Sequence, residues 1–168
     1  MKFCFECGNG LILKECYNCG ILDGIFPFCE KCEEFRFPFF NCAVSMVIYN
    51  KDFSKTLLIK QYGRDWNILV AGYVNKKENL EEALKREILE ETALEPLDFK
   101  YNESKYFEKS NTLICNFIVR VKNEDFKLTE EVDFAKWYGI DEAKREIMKN
   151  GLAEYFFNLS LLKLDMFN

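Results

Sequence analysis

Three glutamates, Glu87, Glu90 and Glu91, are spaced so that they could act together. They lie in the stretch from Gly72 to Leu94, which reads G-Y-V-N-K-K-E-N-L-E-E-A-L-K-R-E-I-L-E-E-T-A-L. At about 100° per residue, a helix over Asn79 to Leu94 puts them on the same face as Leu80, Ala83, Leu84 and Leu94. A face carrying those leucines packs inward. Glu87 is an i,i+3 neighbour of Glu90 and an i,i+4 neighbour of Glu91, and each such like-charge pair costs roughly 0.2–0.5 kcal/mol in water and more when desolvated. A divalent cation removes that cost. Magnesium suits the set best, because a hard cation takes oxygen ligands and sits between carboxylates and substrate phosphates. Glu78, Glu81 and Glu82 point away from the leucines and read as a solvated acidic face.

The elements around this helix follow from apolar runs and turn signals. We expect strands at Ala43–Tyr49, Thr56–Gln61 and Trp66–Val70, with a turn at Lys51–Ser54. After Pro96 come strand-like runs Phe99–Phe107 and Leu113–Lys122, and then Phe134–Tyr138. Asp141 is expected to cap a helix through about Lys149. Asn150-Gly151 breaks it, and Leu152–Met166 forms a last helix with an apolar face.

Residues 1–40 differ in kind. They hold six of the eight cysteines as three Cys-x-x-Cys pairs, Cys4/Cys7, Cys16/Cys19 and Cys29/Cys32. Two such pairs complete a tetrahedral zinc site, and a segment this poor in regular apolar positions needs a metal staple. Cys4, Cys7, Cys29 and Cys32 give the long central gap of a zinc ribbon, with strands at Leu11–Lys14 and Ile21–Phe26 between the knuckles. Cys16/Cys19, followed by Gly20, is also a plausible knuckle; with the first set chosen, Cys16 and Cys19 are spare or belong to a second, incomplete site. The aromatics of Phe35-Arg36-Phe37-Pro38-Phe39-Phe40 are expected to pack between this ribbon, residues 1–40, and a main domain, residues 41–168.

Composition narrows the chemistry. The chain has 168 residues, a net charge of -5, 49% hydrophobic residues and no histidine. A Ser-His-Asp triad, a Cys-His nucleophile and a histidine-ligated metal are therefore excluded. Acid–base work falls to carboxylates, lysine, tyrosine or metal-bound water. The acidic balance argues against a general nucleic-acid coat protein. No apolar run is long enough for a membrane span, so we expect no membrane partner, and a cytoplasmic chain whose thiols stay reduced.

The central stretch resembles the box of the Nudix family, G-x5-E-x7-R-E-U-x-E-E-x-G-U, where U is aliphatic. Gly72, Glu78, Arg86, Glu87, Ile88, Glu90, Glu91 and Leu94 match in register, and Ala93 stands where the family has glycine. That glycine ends the helix in a left-handed conformation, which alanine adopts at a cost of roughly 1 kcal/mol. The resemblance implies an α+β domain, an α/β/α sandwich with a mixed sheet. It implies magnesium- or manganese-dependent hydrolysis of a nucleoside diphosphate joined to another group. It makes Glu87, Glu90 and Glu91 metal ligands, with one of them or a nearby glutamate as base, and the carbonyl of Ala71 or Gly72 completing the coordination. Arg86 orients the glutamates, and Glu78 supports the loop before the helix.

A zinc ribbon directly before such a domain is similar to the NADH pyrophosphatase branch. Cys32 leads into Phe37-Pro38 as the branch's second cysteine pair leads into an aromatic-proline segment. The branch motif S-Q-P-W-P-F-P-x-S-L is matched at Ser104 and Leu113, with Phe107 for Trp and Thr112 for Ser. Its glutamine and three prolines are absent here. The branch's late metal-binding glutamate falls at Glu131. By resemblance, Phe37, Tyr73, Lys105, Phe107 and Thr112 are the candidate substrate contacts, the substrate is NAD(H) or a related dinucleotide, and the protein is a homodimer. ADP-ribose, another nucleoside diphosphate derivative or an NAD-capped RNA end keeps the same chemistry. A different class of reading is a non-catalytic module, whose ribbon recognises RNA or protein while the larger domain senses a nucleotide.

Overall fold

The computed structural model describes residues 1–167. The chain divides into two compact units, Met1–Phe40 and Asn41–Asn168. The first is a small antiparallel sheet in the order β1-β2-β3, with β1 at Ile12–Asn18, β2 at Ile21–Cys29 and β3 at Glu34–Phe35. Asn18 pairs with Ile21, so Cys19 and Gly20 form a two-residue turn, and both have positive φ, 51° and 82°. Those angles match the right-handed twist of the flanking strands. Both strands run longer than the knuckle spacing suggested, and Cys16 lies inside β1 opposite Gly24. Aromatic pairs hold the unit together: Phe28 on Phe35 and Phe26 on Phe37 at 5.0 Å, and Phe5 on Phe39 at 5.7 Å. Phe37 and Phe39 thus find partners within the first unit.

The second unit is a three-layer α/β/α sandwich. Its strands are β4 (Asn41–Tyr49), β5 (Lys55–Lys60), β6 (Val70–Tyr73), β7 (Pro96–Phe107), β8 (Thr112–Val121) and β9 (Phe134–Gly139). They form a mixed sheet ordered β7-β8-β4-β5-β9, with β6 also on β4. The β4–β8 pair is parallel and the others are antiparallel. Helix α1 (Leu80–Thr92) covers one face, and α2 (Ile140–Glu146) and α3 (Leu152–Leu161) cover the other. Period-two alternation divides β4 between the two cores. Val44, Met46 and Ile48 meet Ala83, Leu84 and Ile88 of α1. Val47 and Tyr49 meet Ala143 of α2 and Phe156 and Phe157 of α3. A strand buried on both faces reads as a nearly continuous apolar run, and Ala43 to Tyr49 is apolar except at Ser45, whose hydroxyl accepts a hydrogen bond from Asn116. Among the described residues no helix is long and apolar enough to cross a membrane.

Three expected elements are corrected. Trp66–Val70 is not a strand. Ile68 makes a single bridge to Ile59, and the true strand is Val70–Tyr73. The reason is that one edge of β4 is shared: β5 pairs with Ile48 and Tyr49, leaving Ala43 to Met46 for β6. Asp141 does not cap α2. Gly139 does, and the helix stops at Glu146 because Ile147 is extended at ψ 142°. The last helix ends at Leu161 and is followed by a separate 3-10 turn at Leu164–Phe167.

Candidate active site

Helix α1 is held at both ends by its own sequence. Asn79 is extended, and its N–H donates to the Glu82 carboxylate at 2.8 Å. Before it, the Asn75 N–H donates to Glu78 at 2.8 Å. At the far end Ala93 adopts φ 55° and its N–H donates to the Leu89 carbonyl. Alanine therefore takes the left-handed conformation in which glycine is the usual residue.

Within this frame Arg86 is a hub. Its Nε and Nη2 grip Glu78 at 2.7 and 2.9 Å, its Nη1 reaches Glu87 at 2.7 Å and Glu90 at 2.9 Å, and Nη2 also donates to the Tyr73 carbonyl at 2.9 Å. These bonds occupy the guanidinium's five N–H donors. The pairing with Arg86 holds Glu78 down at about 2. Arg86 thus links the loop before α1 to the two glutamates that flank it on the helix.

Glu87 and Glu91 are the buried carboxylates, 8% and 3% exposed. Glu87 lies directly beneath Gly72: a Cβ on residue 72 would come within 1.9 Å of its carboxyl carbon. Glu91 receives a hydrogen bond from Gln61 Nε2 at 2.8 Å, while its Oε2 is buried without any partner among the described residues. Burial is the main force raising the Glu91 carboxyl to about 7, and the Gln61 bond opposes it. Burial also raises Glu87, against the pull of Arg86. Glu90 differs from the expectation that all three face inward: its side chain is 57% exposed. At 100° per residue it stands about 80° from Leu80, on the flank of the apolar stripe, and Arg86 holds it there.

These groups line an open cavity of about 560 Å³. Ala71, Gly72, Tyr73, Arg86, Glu87, Glu91, Phe107, Thr112 and Glu131 all contribute to its wall. Glu131 comes from the loop before β9 and is close enough to add to the acidity shifts of Glu87 and Glu91. Lys105 borders another hollow beside Tyr155, paired with Glu103 at 2.9 Å. Phe37 is packed on Phe26 in the first unit. The sequence reading missed Gln61, Asn75, Tyr62 and Arg64. Gln61 was findable, since it continues the face of Leu57 and Ile59 that packs toward α1.

The donor set fits magnesium. Two buried carboxylates, one with an oxygen lacking any protein partner, and the backbone of Ala71 and Gly72 beside them supply hard oxygen ligands.

The first unit holds a second donor cluster. The sulfurs of Cys4, Cys7, Cys29 and Cys32 all lie within 4.8 Å of one another. Cys4 and Cys32 are 3.9 Å apart and Cys7 and Cys29 3.5 Å. A tetrahedral zinc with bonds of about 2.3 Å places its sulfurs about 3.8 Å apart, so the spacing fits. Buried Arg36 donates from Nε to Cys4 Sγ at 3.2 Å and pairs with Glu6 and Glu34. That guanidinium draws the Cys4 thiol well below its usual value. Cys16 and Cys19 lie outside the cluster.

Residues 40–159 match the family described as NUDIX domain. Two curated relatives are the chloroplastic Nudix hydrolase 19 of Arabidopsis thaliana and the NAD-capped RNA hydrolase NudC of Vibrio cholerae. The first is 29% identical over 165 residues, covering 92% of this chain and 35% of the relative. The second is 25% identical over 146 residues, covering 84% of this chain and 50% of the relative. The chain thus spans about a third to a half of their length. Among solved structures, a NUDIX hydrolase from Nitrosomonas europaea superposes with a TM-score of 0.65 at 21% identity, covering 99% of this chain and 93% of that one. The NUDIX domain of Shewanella oneidensis NrtR, solved with ADP ribose, gives 0.64 at 15% identity, covering 82% and 94%. At these identities the structures show a shared fold.

Proposed function

This chain belongs to the Nudix family, and from that premise we propose that it is a hydrolase that cuts the diphosphate linkage of NAD(H) or a related dinucleotide. The observation that carries the reading is the buried Glu87–Glu91 pair in the cavity wall, with Glu91 Oε2 lacking a partner among the described residues. Glu87, Glu91 and the carbonyl of Ala71 or Gly72 would hold magnesium or manganese, with Glu90 and Glu131 at its edge. When bound, the metal offsets charge on the phosphates and makes a bound water acidic enough to act as nucleophile.

The chain's own residues prepare that arrangement. Arg86 fixes Glu87 and Glu90 against the Tyr73 carbonyl, so the carboxylates need little reorganisation when substrate arrives. Gln61 fixes one oxygen of Glu91 and leaves the other free. Burial raises the Glu91 carboxyl to about 7, so its Oε2 can hold a proton in the metal-free site. Glycine at position 72 keeps the ceiling of the site low.

The dinucleotide preference rests on the branch resemblance and on relatives named NAD-capped RNA hydrolase. The same chemistry at an NAD-capped RNA end is the second reading those names favour. The four-cysteine cluster is read as a structural zinc ribbon over residues 1–40, preceding a catalytic domain over residues 41–168. The clustered free thiols of Cys4, Cys7, Cys29 and Cys32 suit a reducing compartment, so we propose a cytoplasmic protein, and by the branch resemblance a homodimer.

The test is turnover. The zinc-loaded protein is incubated with magnesium and NADH, NAD, ADP-ribose, diadenosine polyphosphates and an NAD-capped RNA, with a Glu91→Gln variant alongside. Release of AMP and reduced nicotinamide mononucleotide from NADH, lost in the variant, is the expected result. Cleavage of ADP-ribose or the capped RNA with NADH, NAD and the diadenosine polyphosphates all untouched overturns the dinucleotide preference. A wild type idle on every member overturns the enzyme reading.

A further inference from the structure

Two arginines line the catalytic cavity, and they are in opposite states. Arg86 has its donors committed to Glu78, Glu87, Glu90 and the Tyr73 carbonyl. Arg64 shares the wall with Glu87, Glu91 and Glu131, yet among the described residues its guanidinium forms no ion pair and no hydrogen bond. Its contacts are two aromatic faces, Tyr62 at 5.9 Å and Trp66 at 5.7 Å. A guanidinium resting on rings keeps its in-plane N–H fork open to an anion.

The loop that carries it is anchored. It leaves β5 at Gln61, whose side chain holds Glu91 and whose carbonyl accepts the Arg64 N–H at 3.3 Å. Tyr62 and Gly63 are both left-handed, at φ 58° and 65°. The Gly63 N–H donates to the Asp133 carboxylate at 2.7 Å, and the Asp133 N–H donates to the Lys60 carbonyl at 2.9 Å. Loop and Glu131-bearing segment are therefore tied together, two residues from Glu131. An aromatic residue in the left-handed region is strained, and the tether maintains it. The result puts Tyr62 and Arg64 at the lip of the cavity, with the Trp66 ring against Arg64.

We propose that Arg64, backed by Tyr62 and Trp66, is the protein's phosphate-binding residue for nucleoside diphosphate substrates. This deepens the proposed hydrolase activity and rests on it. The carboxylate side of the cavity serves the diphosphate only through a cation. The charge left on the phosphates needs a donor from the protein, and Arg64 is the cavity-lining cation with donors to spare. A bidentate guanidinium–phosphate contact forms when substrate binds and is retained through the reaction, so it contributes to KM more than to kcat.

The experiment compares wild type, Arg64→Ala and Arg64→Lys in two assays. The first is steady-state hydrolysis of whichever member of the panel the wild type cleaves. The second is calorimetric binding of adenosine 5′-(α,β-methylene)diphosphate in magnesium. Arg64→Ala is expected to raise KM and the Kd of the analogue about 10- to 100-fold with kcat within about threefold, and Arg64→Lys to restore only part of the loss. Arg64 is exposed and in a loop, so the variants fold. A KM and Kd within about twofold of wild type overturn the proposal, as does a loss confined to kcat. If the wild type cleaves nothing, the hydrolase reading fails by that result, and the analogue's Kd alone decides on Arg64.

Discussion

The Glu87 carboxyl fills the space that any side chain on residue 72 would need. Gly72→Ala therefore forces Glu87 out of the site or shifts β6, and a drop in activity of about a hundredfold or more is expected, read as kcat in magnesium. Glu91 makes a further prediction. Its folded carboxyl titrates near 7 against an ordinary value of 4.5, so between those limits the folded chain holds a proton that the unfolded chain has lost. That contribution to stability is fully present below about 4.5 and disappears as pH rises through 7. The metal-free protein should thus lose thermal stability from pH 5 to pH 8, and Glu91→Gln should flatten that slope. Magnesium should raise the melting temperature at pH 8 far more than at pH 5, because the proton and the cation compete for the same oxygen. Thermal melts with and without magnesium check all three statements.

At the scale of elements, α1 carries its own instructions except at its last residue. Ala93 pays for a left-handed conformation that glycine adopts freely. Ala93→Gly should stabilise the protein by about 1 kcal/mol in denaturant unfolding, with activity unchanged because residue 93 is outside the cavity wall. The helix face was readable from spacing alone for Leu80, Ala83, Leu84, Glu87 and Glu91. Glu90 was not, because at the edge of the stripe the choice between core and solvent depends on what lies opposite, and there Arg86 offers a partner. The segment between β5 and β6 failed as a strand for a similar reason: Ile68 and Leu69 are apolar, but the edge of β4 available to them was already divided.

At the scale of the whole molecule, the two units have different sources of stability. The larger has apolar cores on both faces of its sheet. The smaller leaves Leu13, Ile21 and Ile25 exposed and relies on aromatic pairs and the four clustered cysteines. Removing the metal, or making Cys29→Ser, should open residues 1–40 to proteolysis while the fragment from about residue 41 onward persists. Cys16→Ser and Cys19→Ser should leave the zinc content at one per chain. Mass spectrometry of the digest and metal analysis give the answer, and loss of zinc on changing Cys16 or Cys19 would refute the assignment of the four ligands.

What the sequence determined by itself was whatever depends on neighbours along the chain. Helical spacing aimed Glu87 and Glu91 inward, the buried run Ala43 to Tyr49 announced a central strand, and the Cys-x-x-Cys pairs marked a small segment with the thiols for a metal site. Whatever depends on which distant residues meet came from the fold. It brought the sulfurs of Cys4, Cys7, Cys29 and Cys32, the set favoured from spacing, within 4.8 Å of one another, while β1 carries Cys16 away to face Gly24. It gave Gly72 its need to be glycine, brought Gln61 onto Glu91, and left Arg64 unpaired at the cavity lip while Arg86 was consumed. Local spacing sets the direction of a side chain, but its partners are set by the packing of strands far apart in sequence.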